Sequence, residues 1–140
     1  MAQVDSFNNN KLSPALAPAQ LTATTNGLTI DTQGYQSLQF MVNATAGTGA
    51  TLNSSNYFTV QVWAGDASNM SDEAQLTGSE FILGNLTGTA GNFEAVGTKE
   101  FGVITDKRYV RIKLVETGTA TALFYAVAGL GASLIKPVTR

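Results

Sequence analysis

Residues 106–131, with the sequence DKRYVRIKLVETGTATALFYAVAGLG, contain the clearest strand pattern in the chain. Between 110 and 114 every second residue is apolar and the residues between them are basic, which is the two-residue period of a half-buried strand. Glu116-Thr117-Gly118 interrupts this pattern, and its glycine can adopt the positive φ that a bend requires. The segment 122–128 that follows is apolar at odd and even positions alike. The stretch therefore predicts a hairpin whose second strand lies centrally in a sheet covered on both sides.

A membrane-spanning helix is a second interpretation of this region, because residues 119–135 carry no charge. A spanning helix needs about 20 consecutive apolar residues. The uncharged stretch is shorter than that, and Gly129 and Gly131 interrupt its end. A buried strand is the better interpretation.

Strand signals continue through the rest of the chain at intervals of roughly ten residues, separated by glycine-rich turns. Asn26-Gly27 is a dipeptide typical of hairpin turns, because both residues tolerate positive φ. About eight or nine short strands without helical periodicity predict an all-β fold, an antiparallel β-sandwich of jelly-roll or Ig-like topology. The strand candidates outside the opening stretch are 21–24, 28–30, 35–42, 57–64, 80–83, 93–96 and 101–105.

Residues 1–18 are interpreted as an extended N-terminal arm, and residues 19–140 as a single β-sandwich domain. Pro14 and Pro18 oppose a continuous helix or strand ladder. Two interpretations are open, a frayed terminus or an arm that docks on a neighbouring subunit. No basic segment followed by an apolar one occurs near the start, so no secretory signal is expected. The apolar points along this segment are Val4, Phe7, Leu12 and Leu16.

The composition excludes several kinds of chemistry. The chain contains no cysteine and no histidine, which removes thiol catalysis, thiolate metal sites and the commonest general base. Charged residues make up only 13% of the chain and the net charge is −2, so a phosphate backbone is not an expected partner. We therefore expect no enzyme, no cofactor, no metal, no nucleic acid and no membrane association.

One acidic loop has the oxygen ligands that calcium prefers. Its spacing lacks the glycine at the sixth position and the glutamate at the twelfth that an EF-hand requires. The sequence favours a solvated loop over a metal site. The residues concerned are Asp66, Ser68, Asn69, Asp72 and Glu73.

Two pairs of side chains are candidates for binding. Tyr57 and Trp63 lie on the face of their strand opposite the core positions, where aromatic rings can stack on sugars or anchor a protein interface. Arg111 and Lys113 form the most concentrated basic patch in the sequence, suited to an acidic partner surface or to keeping an edge strand from pairing wrongly. Coverage of the aromatic face by protein is favoured over sugar binding.

Three segments together resemble the small β-sandwich proteins that decorate or cement the heads of tailed bacteriophages. In the third, the Lys-Arg-Tyr-Val-Arg start and the Ala-Gly-Leu-Gly end are similar to sequences of phage structural proteins. The resemblance spans about residues 28–138, and its motifs encode strands and turns without any chemistry. The segments are LTIDTQGYQSLQFMVNATAG at 28–47, FTVQVWAGDASNMSDE at 58–73 and DKRYVRIKLVETGTATALFYAVAGLGASLIKPV at 106–138.

This resemblance implies a structural virion protein that binds the outer surface of a capsid and stabilises the head by bridging capsomers. The implied partners are the major capsid protein and further copies of the chain in a homotrimer. The implied location is the capsid exterior, after assembly in the host cytoplasm. The expected interface residues are Val4, Phe7, Leu12, Leu16, Tyr57, Trp63, Arg111 and Lys113.

Two alternatives are kept open. A head–tail connector or tail-associated protein would show the same β-rich composition, and copy number per particle separates it from a cement protein. A carbohydrate-binding module would use Trp63 and Tyr57, and a change in tryptophan fluorescence with sugars would reveal it.

Overall fold

The computed structural model describes residues 9–84, 86 and 88–131. It consists of two antiparallel sheets packed face to face, which confirms the predicted all-β sandwich. Its elements are β1 (Lys11–Leu21), β2 (Thr25–Asn26), β3 (Ile30–Asp31), β4 (Ser37–Thr45), β5 (Tyr57–Gly65), β6 (Ala74–Leu76), β7 (Ile82–Leu83), a 3₁₀ turn (Gly88–Gly91), β8 (Asn92–Phe93), β9 (Gly97–Val103), β10 (Tyr109–Thr117) and β11 (Ala122–Gly131).

The strands divide into a sheet that we call sheet A, with the order β1-β11-β4-β9-β7, and a sheet that we call sheet B, with the order β2-β10-β5-β6. The short strands β3 and β8 also belong to sheet B, because β3 pairs with β10 and β8 pairs with β5. Short strands form the edges of sheet B and one edge of sheet A, whereas the eleven-residue strand β1 forms the other edge of sheet A.

The predicted hairpin at 106–131 is wrong. β10 pairs with β5 in sheet B, whereas β11 pairs with β1 and β4 in sheet A. The connection 118–121 thus crosses from one sheet to the other, and Gly118 adopts a φ of 76° at its start. Both strands bury one face, so the alternation could not distinguish pairing within a sheet from packing across the core.

The core is formed by the inward faces of both sheets. Phe124 of β11 packs edge-on against Phe58 and Phe93, with ring centroids 5.0 and 5.2 Å apart, and so joins sheet A to sheet B. In β11 every even residue is buried and every odd residue is half-buried. The prediction that this strand is central is confirmed, since β1 and β4 flank it. Among the described residues, only the face of β11 that carries its even positions is fully covered.

Residues 11–18 belong to the sandwich, so the arm predicted over 1–18 is wrong for this part. β1 forms the edge of sheet A and pairs with β11, with register shifts between Pro14 and Leu16 and between Leu16 and Ala19. The prolines are tolerated because an edge strand needs only one hydrogen-bonded side, and the shifts absorb their missing donors. Residues 1–8, with Val4 and Phe7, lie outside the described residues.

Asn26-Gly27 does not form the expected hairpin turn. The backbone at Gly27 and Leu28 instead forms hydrogen bonds to both sheets. Gly27 donates to the carbonyl of Ile112 in sheet B at 2.8 Å, and Leu28 donates to the carbonyl of Ala15 in sheet A at 2.7 Å. A Cβ on Gly27 would stand 2.6 Å from the Ala15 oxygen. Glycine is therefore required here by close approach of the backbones.

Among the described residues, no helix is long and apolar enough to cross a membrane.

Candidate docking surfaces

The outer face of sheet B brings together three of the predicted interface residues. Arg111 of β10 lies directly opposite Trp63 of β5, and Lys113 lies opposite Gln61 in the next outward row. These positions face outward because the residues between them are buried in the core. Sequence alternation predicted this shared face correctly, since the register of two adjacent strands sets which side chains meet.

Glu73 completes this group, which we call the Glu73 cluster. Its two carboxylate oxygens accept hydrogen bonds from Nε and Nη2 of Arg111 at 2.7 and 2.6 Å. One of them also accepts from Nζ of Lys113 at 2.6 Å. The side chains of Glu73, Lys113 and Arg111 are only 14, 16 and 18% exposed. The basic patch predicted from the sequence is therefore paired with one carboxylate, which lies about 40 residues earlier in the chain and offsets one of its two positive charges.

The electrostatics of the cluster favour the ionised carboxylate. The hydrogen bond from Arg111 is the main cause that lowers the pKa of Glu73, and the bond from Lys113 adds to it against the opposing effect of burial. Charge-assisted, bidentate pairs of this kind are stronger and better oriented than neutral hydrogen bonds. The cluster thus fixes the end of the 66–73 loop on the sheet.

Trp63 is part of the same cluster rather than an open stacking platform. The Nζ atom of Lys113 lies 3.7 Å from the centre of the indole ring, and the indole Nε1 donates to Gln61 at 3.1 Å. One face of the ring is therefore occupied by a cation of the same chain. Tyr57 lies six residues away along β5, a distance of about 20 Å at strand spacing. These two aromatic residues do not form one sugar-binding site.

The acidic loop is closed by its own hydrogen bonds. Asp72 accepts from the backbone amides of Asp66 and Ala67 at 2.9 and 3.0 Å, and these bonds are the largest causes that lower its pKa. Asp66 pairs with Lys107 at 2.7 Å. Within the described ranges, no group of three or more acidic, histidine or cysteine side chains could hold a metal ion. The loop carboxylates serve loop structure.

The outer face of sheet A has a different character. Its odd positions in β11, Leu123, Tyr125 and Val127, are half-buried and apolar. On the neighbouring strand Met41 lies opposite Val127. At the edges of this face large apolar side chains are exposed, with Leu12 76% and Leu83 51% accessible. The same face also carries Gln39, Asn43 and Glu100, and its exposed apolar side chains make it a candidate for protein interaction.

The predicted interface residues Leu12 and Leu16 of the N-terminal segment differ in exposure. Leu12 points outward from β1 and remains a candidate. Leu16 is 8% exposed and packs in the core, so it is not available to a partner and this assignment is wrong. The register shift beside Pro14 turns it inward.

Sequence reasoning missed most of the sheet A surface. The sequence pattern places Leu83 and Ile104 in strands and predicts no role for them, yet each is about half exposed. Their signal was weak, because a two-residue strand such as β7 shows no periodicity. The double-sided apolar pattern at 122–128 was the available indication, because it places apolar side chains on the outward side of β11 as well as in the core.

No protein-family model matches the chain, and no curated protein matches it in sequence. A search of solved structures finds similarity to the crystal structure of SPBc2 prophage-derived protein YomS. The TM-score is 0.52 at 12% sequence identity, and the match covers 91% of this chain and 99% of that chain. The two chains share a fold. At this identity the similarity supports the sandwich architecture over nearly the full length of both proteins.

Proposed function

We propose that this chain is a non-catalytic structural protein of a phage particle. It binds the outer surface of the capsid and stabilises the head by bridging capsid subunits. Its partners are the major capsid protein and further copies of itself, in a homotrimer. The observation that carries the proposal is the set of exposed apolar side chains on the outer face of sheet A, which contrasts with the ion-paired face of sheet B.

The physical basis is the difference between these two surfaces. On sheet B, Arg111 and Lys113 already form hydrogen bonds to Glu73 within the chain, and a partner that pairs with them must compete with these bonds. On sheet A, exposed apolar area from residues such as Leu12 and Leu83 is removed from water when a partner binds. A surface protein present in many copies needs only modest affinity at each contact, because the contacts act together.

The resemblance to phage head proteins and the fold shared with a prophage-derived protein support the same reading. The low charge content agrees with a protein that is largely covered by partners. The sugar-binding alternative is weakened by the lysine that occupies one face of the Trp63 ring.

The first test is copy number. Particles are purified on a density gradient, and this chain is quantified by mass spectrometry against the most abundant capsid protein. A ratio near one or a simple fraction supports a surface lattice. A handful of copies per particle would instead assign the chain to the connector or tail, and absence from particles would reject the virion role.

The second test addresses the surface. Leu83→Lys places a charge on the outer face of sheet A, whereas Gln75→Lys places the same charge on the exposed side of sheet B. Particles that lack the protein are incubated with each purified variant, and bound protein is measured after sedimentation. We expect Leu83→Lys to bind at least about tenfold more weakly than Gln75→Lys, which corresponds to about 1.4 kcal/mol. Equal binding of both variants would exclude sheet A as the docking face.

A further inference from the structure

Asn26-Gly27 is the one place in the sequence where a glycine follows an asparagine. In such a pair the backbone nitrogen of the glycine can attack the side-chain carbonyl carbon of the asparagine, because glycine has no side chain to hinder the approach. Asn26 is exposed, so its carboxamide is in contact with water. The pair therefore places a reactive group at the point where the backbone joins the two sheets.

In the folded chain the pairing of the backbone blocks this attack. The amide of Gly27 donates to the carbonyl of Ile112 at 2.8 Å, which holds it in the plane of sheet B. The side chain of a strand residue such as Asn26 stands roughly perpendicular to that plane. The attack therefore requires a rotation of the backbone, and this rotation breaks the pairing of Asn26 with Lys113.

The strand that must open is a weakly held one. β2 has two residues, neither of them buried, and it lies at the edge of sheet B. Its neighbour Thr24 adds one more bond, since its Oγ1 accepts from the amide of Glu116 at 3.0 Å. Segments with few buried contacts open locally while the rest of the chain stays folded.

We propose that Asn26 is a site of spontaneous deamidation, reached by local opening of β2 from β10. The nitrogen of Gly27 forms a bond to Cγ of Asn26 and loses its proton, and the side-chain amino group leaves with a proton as ammonia. The cyclic succinimide that results takes up water. Hydrolysis at the side-chain carbonyl gives aspartate, whereas hydrolysis at the backbone carbonyl gives isoaspartate, whose main chain runs through the former side-chain methylene.

The isoaspartate product cannot restore the junction between the sheets, because its main chain is longer by one carbon. The fit at Gly27 leaves no space for this carbon, since a Cβ there would stand 2.6 Å from the oxygen of Ala15 and 2.9 Å from a side-chain carbon of Ile112. Leu28 donates to the same Ala15 oxygen at 2.7 Å. A lengthened segment loses its register with β1 or with β10, and the loss is irreversible.

The first test measures the rate of conversion at Asn26. The purified full chain is incubated in mildly alkaline buffer, both folded and in concentrated urea, and peptide mass spectrometry follows the residue. We expect the folded chain to react at least about tenfold more slowly than the unfolded chain. We also expect its rate to stay constant at low urea concentrations, since local opening exposes little surface. Equal folded and unfolded rates would show that the pairing does not protect Asn26. A folded rate of zero, or one that rises with urea as steeply as global unfolding, would exclude local opening.

A matched pair of variants tests the opening itself. Thr24→Val removes the oxygen that accepts from Glu116, whereas Thr22→Val makes the same change at an exposed position two residues earlier. We expect Thr24→Val to react at least about threefold faster than the parent chain, and Thr22→Val to react at the parent rate. Equal rates for the two variants would contradict control of the reaction by β2.

The last test concerns the product. Chain that carries isoaspartate at position 26 is separated by chromatography after ageing in urea and is compared with Asn26→Asp, which has the same charge and a normal main chain. We expect Asn26→Asp to unfold near the urea midpoint of the parent, and the isoaspartate chain to unfold at a lower midpoint or to fail to refold. Equal midpoints for the two chains would overturn the assignment of the junction as the part that is lost.

Discussion

Arg111 and Glu73 form a bidentate ion pair across the outer face of sheet B, with N–O distances of 2.7 and 2.6 Å. The pair joins a central strand to the end of the 66–73 loop. Lys113 shares the same carboxylate and lies over Trp63. A single carboxylate therefore holds two cations in place, and its removal leaves them facing each other on a poorly solvated surface.

We expect Glu73→Ala to lower the free energy of unfolding by about 1–2 kcal/mol. This is more than an exposed pair contributes and less than a fully buried one. Urea unfolding followed by Trp63 fluorescence measures the change. Glu94→Ala, at an exposed position, is the control and should alter stability by no more than about 0.5 kcal/mol. An equal effect of both substitutions would show that the cluster does not stabilise the fold.

The same residue predicts a pH dependence. The pKa of Glu73 is lowered in the folded chain, chiefly by Arg111, so the unfolded chain binds this proton at higher pH than the folded one. The stabilising contribution is therefore present above the ordinary glutamate value of about 4.5 and is lost as pH falls from there through the lower folded pKa. Unfolding curves between pH 6 and pH 3 should show a smaller decline in Glu73→Gln than in the parent chain. Parallel curves would contradict this linkage.

Lys113→Met removes the ammonium group over Trp63 but keeps an unbranched stem. Because Arg111 still pairs with Glu73, we expect a modest loss of about 0.5–1 kcal/mol. Trp63 is the only tryptophan in the chain, so its emission should change in wavelength or intensity. The ammonium group of Lys99 lies 5.2 Å from the ring centre of Phe93, so the control Lys99→Met should leave the tryptophan emission unchanged. Identical spectra for the parent chain and Lys113→Met would indicate that the contact is absent in solution.

Leu16 and Leu12 provide a matched pair on one strand. Leu16→Ala removes a core side chain and should cost about 2–4 kcal/mol. Leu12→Ala changes an exposed side chain and should alter stability by no more than about 0.5 kcal/mol, while it weakens binding to particles under the proposed function. Thermal or urea unfolding decides the first point. A small effect of Leu16→Ala would contradict the inward turn of β1.

Gly118→Ala tests the crossing between the sheets. The residue has a φ of 76°, and a Cβ would stand 2.5 Å from the Ser55 carbonyl oxygen. Gly49 has a similar φ of 70° but no atom within 4 Å of its Cβ position, so Gly49→Ala measures the backbone cost alone. We expect Gly49→Ala to cost about 1 kcal/mol and Gly118→Ala clearly more. Unfolding midpoints of the two variants give the comparison, and a smaller cost at Gly118 would contradict it.

The sequence by itself determined the fold class and the faces of the long strands. Alternation in Tyr57–Gly65 and Tyr109–Thr117 identified which residues point inward, because a strand alternates its side chains whatever its partner is. It also placed Trp63, Arg111 and Lys113 on outward faces, as the structure does.

Only the tertiary structure decided which strands pair and what the outward residues meet. The connection that begins at Gly118 crosses from one sheet to the other. The alternation of apolar and polar residues is the same for such a crossing as for a hairpin within one sheet. Glu73 reaches the basic patch from a distant loop, and Pro14 shifts the register that buries Leu16. Leu12 and Leu83 lie in one cross-strand row of sheet A because five strands from separate parts of the chain align it. Such long-range alignment is set by packing of the whole core, which no local segment encodes.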